Sequence, residues 1–431
     1  MTTAGQATRA GFFDWWRQAP LRARRALAAG FFGWMLDAFD VQLYALVLAS
    51  IIAFIAESGG NHGSSAAVEH AKVVAGAIGS FTLIASAVGG VIFGFVADRY
   101  GRRLALMASV LIYSIFTGAC GLAGTVTSLV IFRVLLGLGM GGEWASGAAL
   151  VSETWPAEHR GKALGFMQSA WAVGYGAAAL VTLIVLPVWG WRAVFFIGIL
   201  PAFFTVWIQR RVEEPEIWRA RRAAAPATRG RFSDIFRGRL LRLTIAVTLM
   251  NACTMFAWWG FNLWVPAYLS LPAAQGGVGL STRVMSAFII IMQVGMWFGY
   301  VTFVFVSDAF GRKRSYITYL ITAAALLGLY ATVHHPLALV LLGPFVAFFS
   351  TGYFSGFGAV TAEIYSTDVR ATAQGFTYNI GRLASAAAPF TVASLAKSHG
   401  FAVAFLVSAL AFVLAAVIWI WIPETKGKHL E

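Results

Sequence analysis

One stretch of this chain is written twice. The first copy runs Gly94-Phe-Val-Ala-Asp98-Arg99-Tyr-Gly101-Arg102-Arg103, and the second runs Val304-Phe-Val-Ser-Asp308-Ala-Phe-Gly311-Arg312-Lys313-Arg314. Asp98 and Asp308 are 210 residues apart. The same offset relates Gly101 to Gly311, Arg102 to Arg312, Glu153 to Glu363, Arg160 to Arg370 and Gly165 to Gly375. One spacing shared by so many pairs is a tandem duplication with almost no net insertion. Two halves of equal length therefore share one architecture, and each has room for about six membrane spans.

Composition names the solvent of that architecture. Of 431 residues, 59% are hydrophobic and only 12% are charged, against about 25% in soluble domains. Mean hydropathy is +0.74. The apolar runs reach spanning length again and again, which predicts an all-α membrane protein with twelve transmembrane helices. The 45 glycines suit close helix packing. Cys120 and Cys253 both fall inside apolar spans, so neither a disulfide framework nor a metal site is expected. The Arg-rich first residues do not follow a signal-peptide pattern.

The chain divides into five parts. Residues 1–26 are expected to form a cytoplasmic N-terminal segment, with Trp15 and Trp16 at the interface among arginines. Residues 27–209 form a six-helix half, with spans at 27–55, 72–97, 104–124, 127–150, 162–187 and 191–209 and a polar outer loop at 57–71. An arginine-rich cytoplasmic linker with short surface helices occupies 210–242. The second six-helix half covers 243–422, with spans at 243–270, 283–307, 315–333, 337–362, 372–396 and 400–422. Residues 423–431 are a cytoplasmic tail. With the N-terminus inside, the outer loops keep only Lys72, Arg192, Arg283 and Lys397, and every other loop cation faces the cytoplasm. That asymmetry places both termini in the cytoplasm of a multi-pass plasma-membrane protein. It also explains the net charge of +14, which faces the lipid bilayer and not nucleic acid.

The repeated loop needs its residue types. Gly101 supplies backbone freedom for a tight turn, Arg102 holds the turn in the cytoplasm, and Asp98 can cap the next span or pair with an arginine. The residues alone leave open whether Arg102 and Arg312 only fix topology or also belong to a charge cluster that breaks as the inner side opens. The loop resembles the signature of the major facilitator superfamily, Gly-x-x-x-Asp-Arg-x-Gly-Arg-Arg/Lys. The resemblance covers essentially the whole chain, because Glu153/Arg160 and Glu363/Arg370 repeat a second motif after spans 4 and 10. It implies the major facilitator fold, two pseudo-symmetric six-helix halves around a central site, and transport by alternating access. It also implies a gating role for Asp98, Arg99, Arg102, Glu153 and Arg160, and for Asp308, Arg312, Glu363 and Arg370.

Five ionisable residues lie deep inside spans: Asp37, Asp40, Arg133, Glu143 and Arg382. Each costs about 2.5–3.5 kcal/mol or more at the bilayer centre, so each is expected to line a cavity or find a partner. At about 1.5 Å per residue, Asp40 and Arg133 both lie about 20 Å above the inner face of a roughly 30 Å core. Asp37 and Glu143 lie a turn or more lower. The four can form one chain of alternating charge. The run Arg133-Val-Leu-Leu-Gly137-Leu-Gly139-Met-Gly141-Gly142-Glu143 resembles the superfamily's span-4 motif. In proton-coupled members that arginine and a span-1 acid take part in coupling, which implies such a role for Arg133 and Asp40. A static ion pair that only orders the bundle is the competing reading. Arg382 has no acid on its own span, and a midplane arginine suits bidentate binding of a carboxylate. Its other reading is a partner for Asp37, Asp40 or Glu143 across the bundle. Tyr378 and Asn379 on span 11, Gln168 and Trp171 on span 5, and Asn251, Trp258 and Asn262 on span 7 are candidate pocket residues, or packing.

Met35-Leu-Asp37-Ala-Phe-Asp40, Gly139-Met-Gly-Gly-Glu143 and Tyr378-Asn-Ile-Gly-Arg382 together resemble the sialate:proton symporters. Glu213-Glu-Pro215-Glu216 and Pro423-Glu-Thr-Lys426-Gly427 resemble the related sugar porters and metabolite:proton symporters. Span 7 departs from the fungal lactate permeases of this clan, and span 5 lacks the Gly-Pro pair of drug antiporters. The resemblance implies uptake of a small organic acid anion, monocarboxylate or sialate-like, coupled to protons and without other cofactors, by a monomer. Asp40, with Asp37 and Glu143 as alternatives, would carry the proton, and Arg382 would hold the carboxylate. A sugar or polyol symporter is the alternative, and a transporter-like membrane sensor is the alternative of another class. No nucleophile–base or zinc pattern points to an enzyme.

Overall fold

A computed structural model describes residues 14–17, 19–58, 65–156, 159–216, 218–219, 232–365 and 367–426, without the side chains at 14, 98, 145, 232, 362 and 367–372. The helices are α1 Asp14–Arg17, α2 Leu21–Leu46, α3 Leu48–Ser58, α4 Ser65–Tyr100, α5 Arg102–Cys120, α6 Val126–Thr154, α7 Arg160–Ile197 and α8 Phe204–Arg211 in the first half. The second half holds α9 Gly238–Ser270, α10 Thr282–Phe310, α11 Arg312–Thr332, α12 Pro336–Thr351, α13 Phe357–Ile364, α14 Thr367–Ser385 and α15 Ala387–Ile418.

Among the described residues, nine helical stretches are long and apolar enough to cross a bilayer, and α2 with α3, bent by 50°, makes a tenth. Two of these stretches, Arg160–Arg211 and Ala373–Ile418, run to 52 and 46 residues. A crossing needs about 20. Each stretch is broken at one glycine, Gly190 (φ +73°) or Gly400 (φ +84°). Each therefore folds back on itself, which gives twelve passes among the described residues. The two glycines are again 210 residues apart, so the duplication extends to the outer turns.

The passes gather into two bundles. In the first, α4 packs on α6, α5 on α6, and α2 on α7. In the second, α9 packs on α15 and α14, α10 on α12, and α11 on α15. The halves meet where α7 lies on α10 and α4 on α15 and α14. The outer segment 57–71, expected to be a loop, becomes helical at Ser65, so α4 carries Glu69 and Lys72 as part of its outer end. Lys72, expected in an outer loop, is buried. Ser65, Ala66 and His70 are exposed as a loop would be, but Lys72, further along the helix, reaches the second half and is covered there. Residues 1–13 of the N-terminal segment, 220–231 of the linker and 427–431 of the tail lie outside the described residues.

A Cβ at position 190 would meet nothing within 4 Å, so only its backbone angle resists substitution. Gly190→Ala is expected to destabilise the purified protein by about 1–2 kcal/mol, the strain of an L-residue at positive φ. Gly94 also has open space, within the helix α4. Gly94→Ala is expected to be neutral or to stabilise by up to about 1 kcal/mol. Thermal melting in detergent compares the two.

Candidate functional site

A narrow cavity of about 30 Å³, partly open to solvent, lies between the halves. Trp34 of α2 and Gln168 and Trp171 of α7 line it from the first half. Met255, Trp258 and Trp259 of α9, Tyr300 of α10, Phe354 of the turn Gly352–Gly356, and Tyr378 and Arg382 of α14 line it from the second. Five residues singled out from the sequence thus converge here: Gln168, Trp171, Trp258, Tyr378 and Arg382. The walls are mostly aromatic. Trp34 and Trp171 lie 4.7 Å apart between ring centres, and Trp259 meets Trp171 edge-on at 6.1 Å. Trp144 of α6 stacks on Tyr378 at 4.2 Å, nearly parallel at 8°, and so joins the halves. Its Nε1 donates to Gln168 Oε1 at 3.2 Å.

Three of the candidate residues stay out of the cavity. Asn379 donates to Gly375 O of its own helix at 3.0 Å and faces Gly90. Asn251 is buried where α9 crosses Gly381, and Asn262 is buried with its Nδ2 unpartnered. Trp34, Trp144, Met255, Tyr300 and Phe354 were not legible as site residues. Trp34 lies three residues before Asp37 and Trp144 immediately follows Glu143, so proximity to a buried acid is the signal that could have found them. The others carry no local signal.

One buried cation, Arg382, lines the cavity, and two buried acids that are not part of its lining, Asp37 and Glu143, feel that cation. Arg382 is 3% exposed, lies 5.7 Å from the centre of the Tyr378 ring, and makes no ion pair among the described residues. Its field reaches Asp37 of α2 and Glu143 of α6, which also sense each other. Both acids are fully buried, and none of their four carboxylate oxygens has a hydrogen-bond partner among the described residues. Glu143 abuts Gly33 of α2.

Asp40 and Arg133, expected to close on each other, do not form an ion pair among the described residues. Asp40 accepts from Thr117 Oγ1 at 3.1 Å and lies beside Gly198, inside the first half. Arg133 stacks over the Tyr44 ring at 4.4 Å, with Nε and Nη1 unpartnered. Asp37, Glu143 and Arg382 interact across the halves, while Asp40 feels both Asp37 and Arg133 within the first half. Rise along a helix gives height but not azimuth, and three residues turn a helix through about 300°.

The inner loops carry two matching clusters. Arg102 Nη2 pairs with Glu153 Oε1 at 2.9 Å, and Glu214 accepts the N–H groups of Arg102 and Arg103 at 2.8 and 3.0 Å. In the second half Arg312 Nη2 pairs with Glu363 Oε1 at 3.0 Å and Arg312 Nη1 with Asp308 Oδ1. Glu424 there accepts the N–H groups of Arg312 and Lys313 at 2.9 and 3.1 Å. Burial works against the Glu424 charge, but the N–H groups of Lys426, Arg312, Lys313 and Thr425 outweigh it and hold the carboxyl below the usual range. Every one of these contacts lies within one half. Arg99 is exposed and lies over Phe95 and Tyr100, and Arg160 Nε is buried without a partner. The side chains of Asp98 and Arg370 lie outside the described residues.

A sequence model described as Major Facilitator Superfamily matches residues 27–303 and 270–431. The chain is 30% identical to the sialic acid transporter NanX of Escherichia coli (strain K12), over 92% of this chain and 93% of that protein. It is 29% identical to the niacin transporter NiaP of Acinetobacter baylyi, over 93% of both chains. Among solved structures, a partially occluded inward-open form of the xylose transporter XylE from E. coli superimposes with a TM-score of 0.75 at 22% identity, covering 95% of this chain and all of that one.

Because the inner clusters sit in separate halves, their losses should add. Arg102→Ala and Arg312→Ala are each expected to destabilise by about 1–3 kcal/mol. The double variant should equal their sum to within about 0.5 kcal/mol. Thermal melting of the three proteins measures this, and strong coupling would reveal a contact across the halves.

Proposed function

The chain belongs to the major facilitator superfamily, and we propose that it takes up a small, flat organic acid anion together with a proton. As a member it is a multi-pass membrane transporter and not an enzyme. The observation that carries the finer reading is Arg382, a buried guanidinium with no acid at ion-pair distance among the described residues, lining an aromatic cavity between the halves. Its planar fork matches a carboxylate bidentately. The tryptophan and tyrosine walls favour an unsaturated or aromatic body, whose faces stack on them.

Coupling follows from charge balance. Arg382 acts on both Asp37 and Glu143 as a cation. A substrate carboxylate on Arg382 draws that cation away. An acid left charged and unpaired in the bundle costs several kcal/mol, and taking up a proton removes the cost. Substrate and proton therefore enter together. Asp37 and Glu143 are the acids that exchange this proton. Asp40, bonded to Thr117 and turned away from the cavity, sets the field they feel from the first half together with Arg133. The inner clusters around Arg102 and Arg312 brace each half while the halves rock about the site, with Asp98, Arg99, Arg160 and Arg370 alongside. The cationic inner loops hold both termini on the cytoplasmic side of the plasma membrane.

Uptake into proteoliposomes tests the reading, with a panel of lactate, pyruvate, sialate, nicotinate, benzoate and xylose, each with and without an inward proton gradient. A flat carboxylate is expected to accumulate only with the gradient. Arg382→Ala should lower kcat/KM at least about a hundredfold, and Arg382→Lys should restore little of it. Asp37→Asn should keep exchange of substrate across the membrane and lose its response to the gradient. Uptake of xylose that survives Arg382→Ala would overturn the anion reading in favour of a sugar symporter.

A further inference from the structure

The outer ends of the two halves are joined at one point by a fully buried cation. Lys72, at the outer end of α4, is 1% exposed. Its Nζ donates to Glu69 Oε1, one turn earlier on the same helix, at 2.6 Å. It also crosses to the second half, donating to the carbonyl oxygen of Gln275 at 2.8 Å, and it lies 5.7 Å from the centre of the Phe401 ring.

The receiving side is built as a socket. Gln275 closes a short turn, Ala273–Gln275, in the segment that follows α9. That segment is pinned to the helix end by Val278 N–H to Tyr268 O at 2.9 Å, Gly279 N–H to Leu271 O at 2.8 Å and Leu280 N–H to Leu269 O at 2.8 Å. Phe401 follows the Gly400 turn directly, at the start of the last pass. Carbonyl and ring therefore move only with the second half, and Lys72 moves with the first. Beneath them the seal is apolar, with Gly79 of α4 against Leu263 and Pro389. Ser80 Oγ accepts the Phe390 N–H at 3.3 Å. The duplication has no counterpart for the cation, because the position 210 residues on is Thr282.

We infer that Lys72 is the latch of the outer gate. An ammonium taken out of water needs its donors filled, and here a carboxylate, a carbonyl and a ring face do so only while the outer ends are together. When the halves part on the outside, Lys72 leaves the carbonyl and the ring for water and keeps Glu69 as its partner. Rehydration offsets most of what is lost, so the latch biases the closed state without locking it. Glu69 is the positioning residue, aiming the ammonium across the gap from one turn away. The inference rests on transport by two rocking halves and not on the identity of the substrate.

The test needs no substrate. Leu263, 5% exposed under the seal, is changed to cysteine in a background lacking Cys120 and Cys253, and a membrane-impermeant thiol reagent is added outside intact cells. Lys72→Ala is expected to raise the labelling rate about tenfold, the scale of one charge-assisted hydrogen bond. Glu69→Gln should raise it by less, and Lys72→Arg, which keeps a cation for the socket, by less still. The thermal midpoint of each purified variant should stay within a few degrees of the parent, because the contact selects between two folded states. Unchanged labelling in both Lys72→Ala and Glu69→Gln would overturn the latch. So would faster labelling accompanied by a large fall in thermal midpoint, which marks a contact that only stabilises the fold. A panel that finds no flat carboxylate carried would leave these labelling rates unaffected.

Discussion

A charged group inside an apolar bundle must be answered by an opposite charge, by hydrogen bonds or by a proton, and the centre of this protein is arranged around that demand. Asp37 and Glu143 have no hydrogen bonds to their carboxylates among the described residues and belong to the first half. The cation that reaches them, Arg382, belongs to the second. The attraction that Asp37 and Glu143 feel from Arg382 therefore acts between the two bodies that must move. Any anion that takes Arg382 alters the balance in the opposite half at the same moment. The aromatic contacts are arranged likewise, with Trp144 of one half stacked on Tyr378 of the other directly beside the arginine.

Much of this architecture could be read from one number. The 210-residue offset that relates Asp98 to Asp308 also relates Gly190 to Gly400 and Glu214 to Glu424, pairs whose roles emerge only from the fold. Their backbone and hydrogen-bond functions coincide because a duplicated chain folds twice. The midplane charges were legible as a set, since ionisable residues stand out in apolar runs. Their pairing was not. Depth along a helix is linear in sequence, whereas the direction a side chain faces depends on how each helix is rotated in the bundle. Asp40 and Arg133 share a height and still do not pair. Lys72 escaped notice for the opposite reason: beside polar residues at the edge of a span it looks like any loop lysine, and only the second half, some 200 residues away, buries it.

The two halves agree where the fold is braced and differ where it acts. Arg102 with Glu153 and Glu214 is matched group for group by Arg312 with Glu363 and Glu424. At the midplane and the outer end the correspondence fails. Arg382 answers to Ala172, Asp37 to Val247 and Lys72 to Thr282. A symmetric pair of bundles rocking about a symmetric site would have no preferred direction of charge. The divergent positions supply one, with the buried acids Asp37 and Glu143 in the first half and the buried Arg382 in the second.

The single-glycine turns at Gly190 and Gly400 have a mechanical meaning. Each joins two passes with practically no outer loop, so the paired helices have no slack between them. A displacement at the cytoplasmic end of one arm of such a hairpin is carried over the crest and down the other arm. α7 and α15 are among the helices through which the halves touch, on α10 and α4 respectively. The protein thus places its stiffest levers at its sliding surfaces, where motion at one face of the membrane has to be felt at the other.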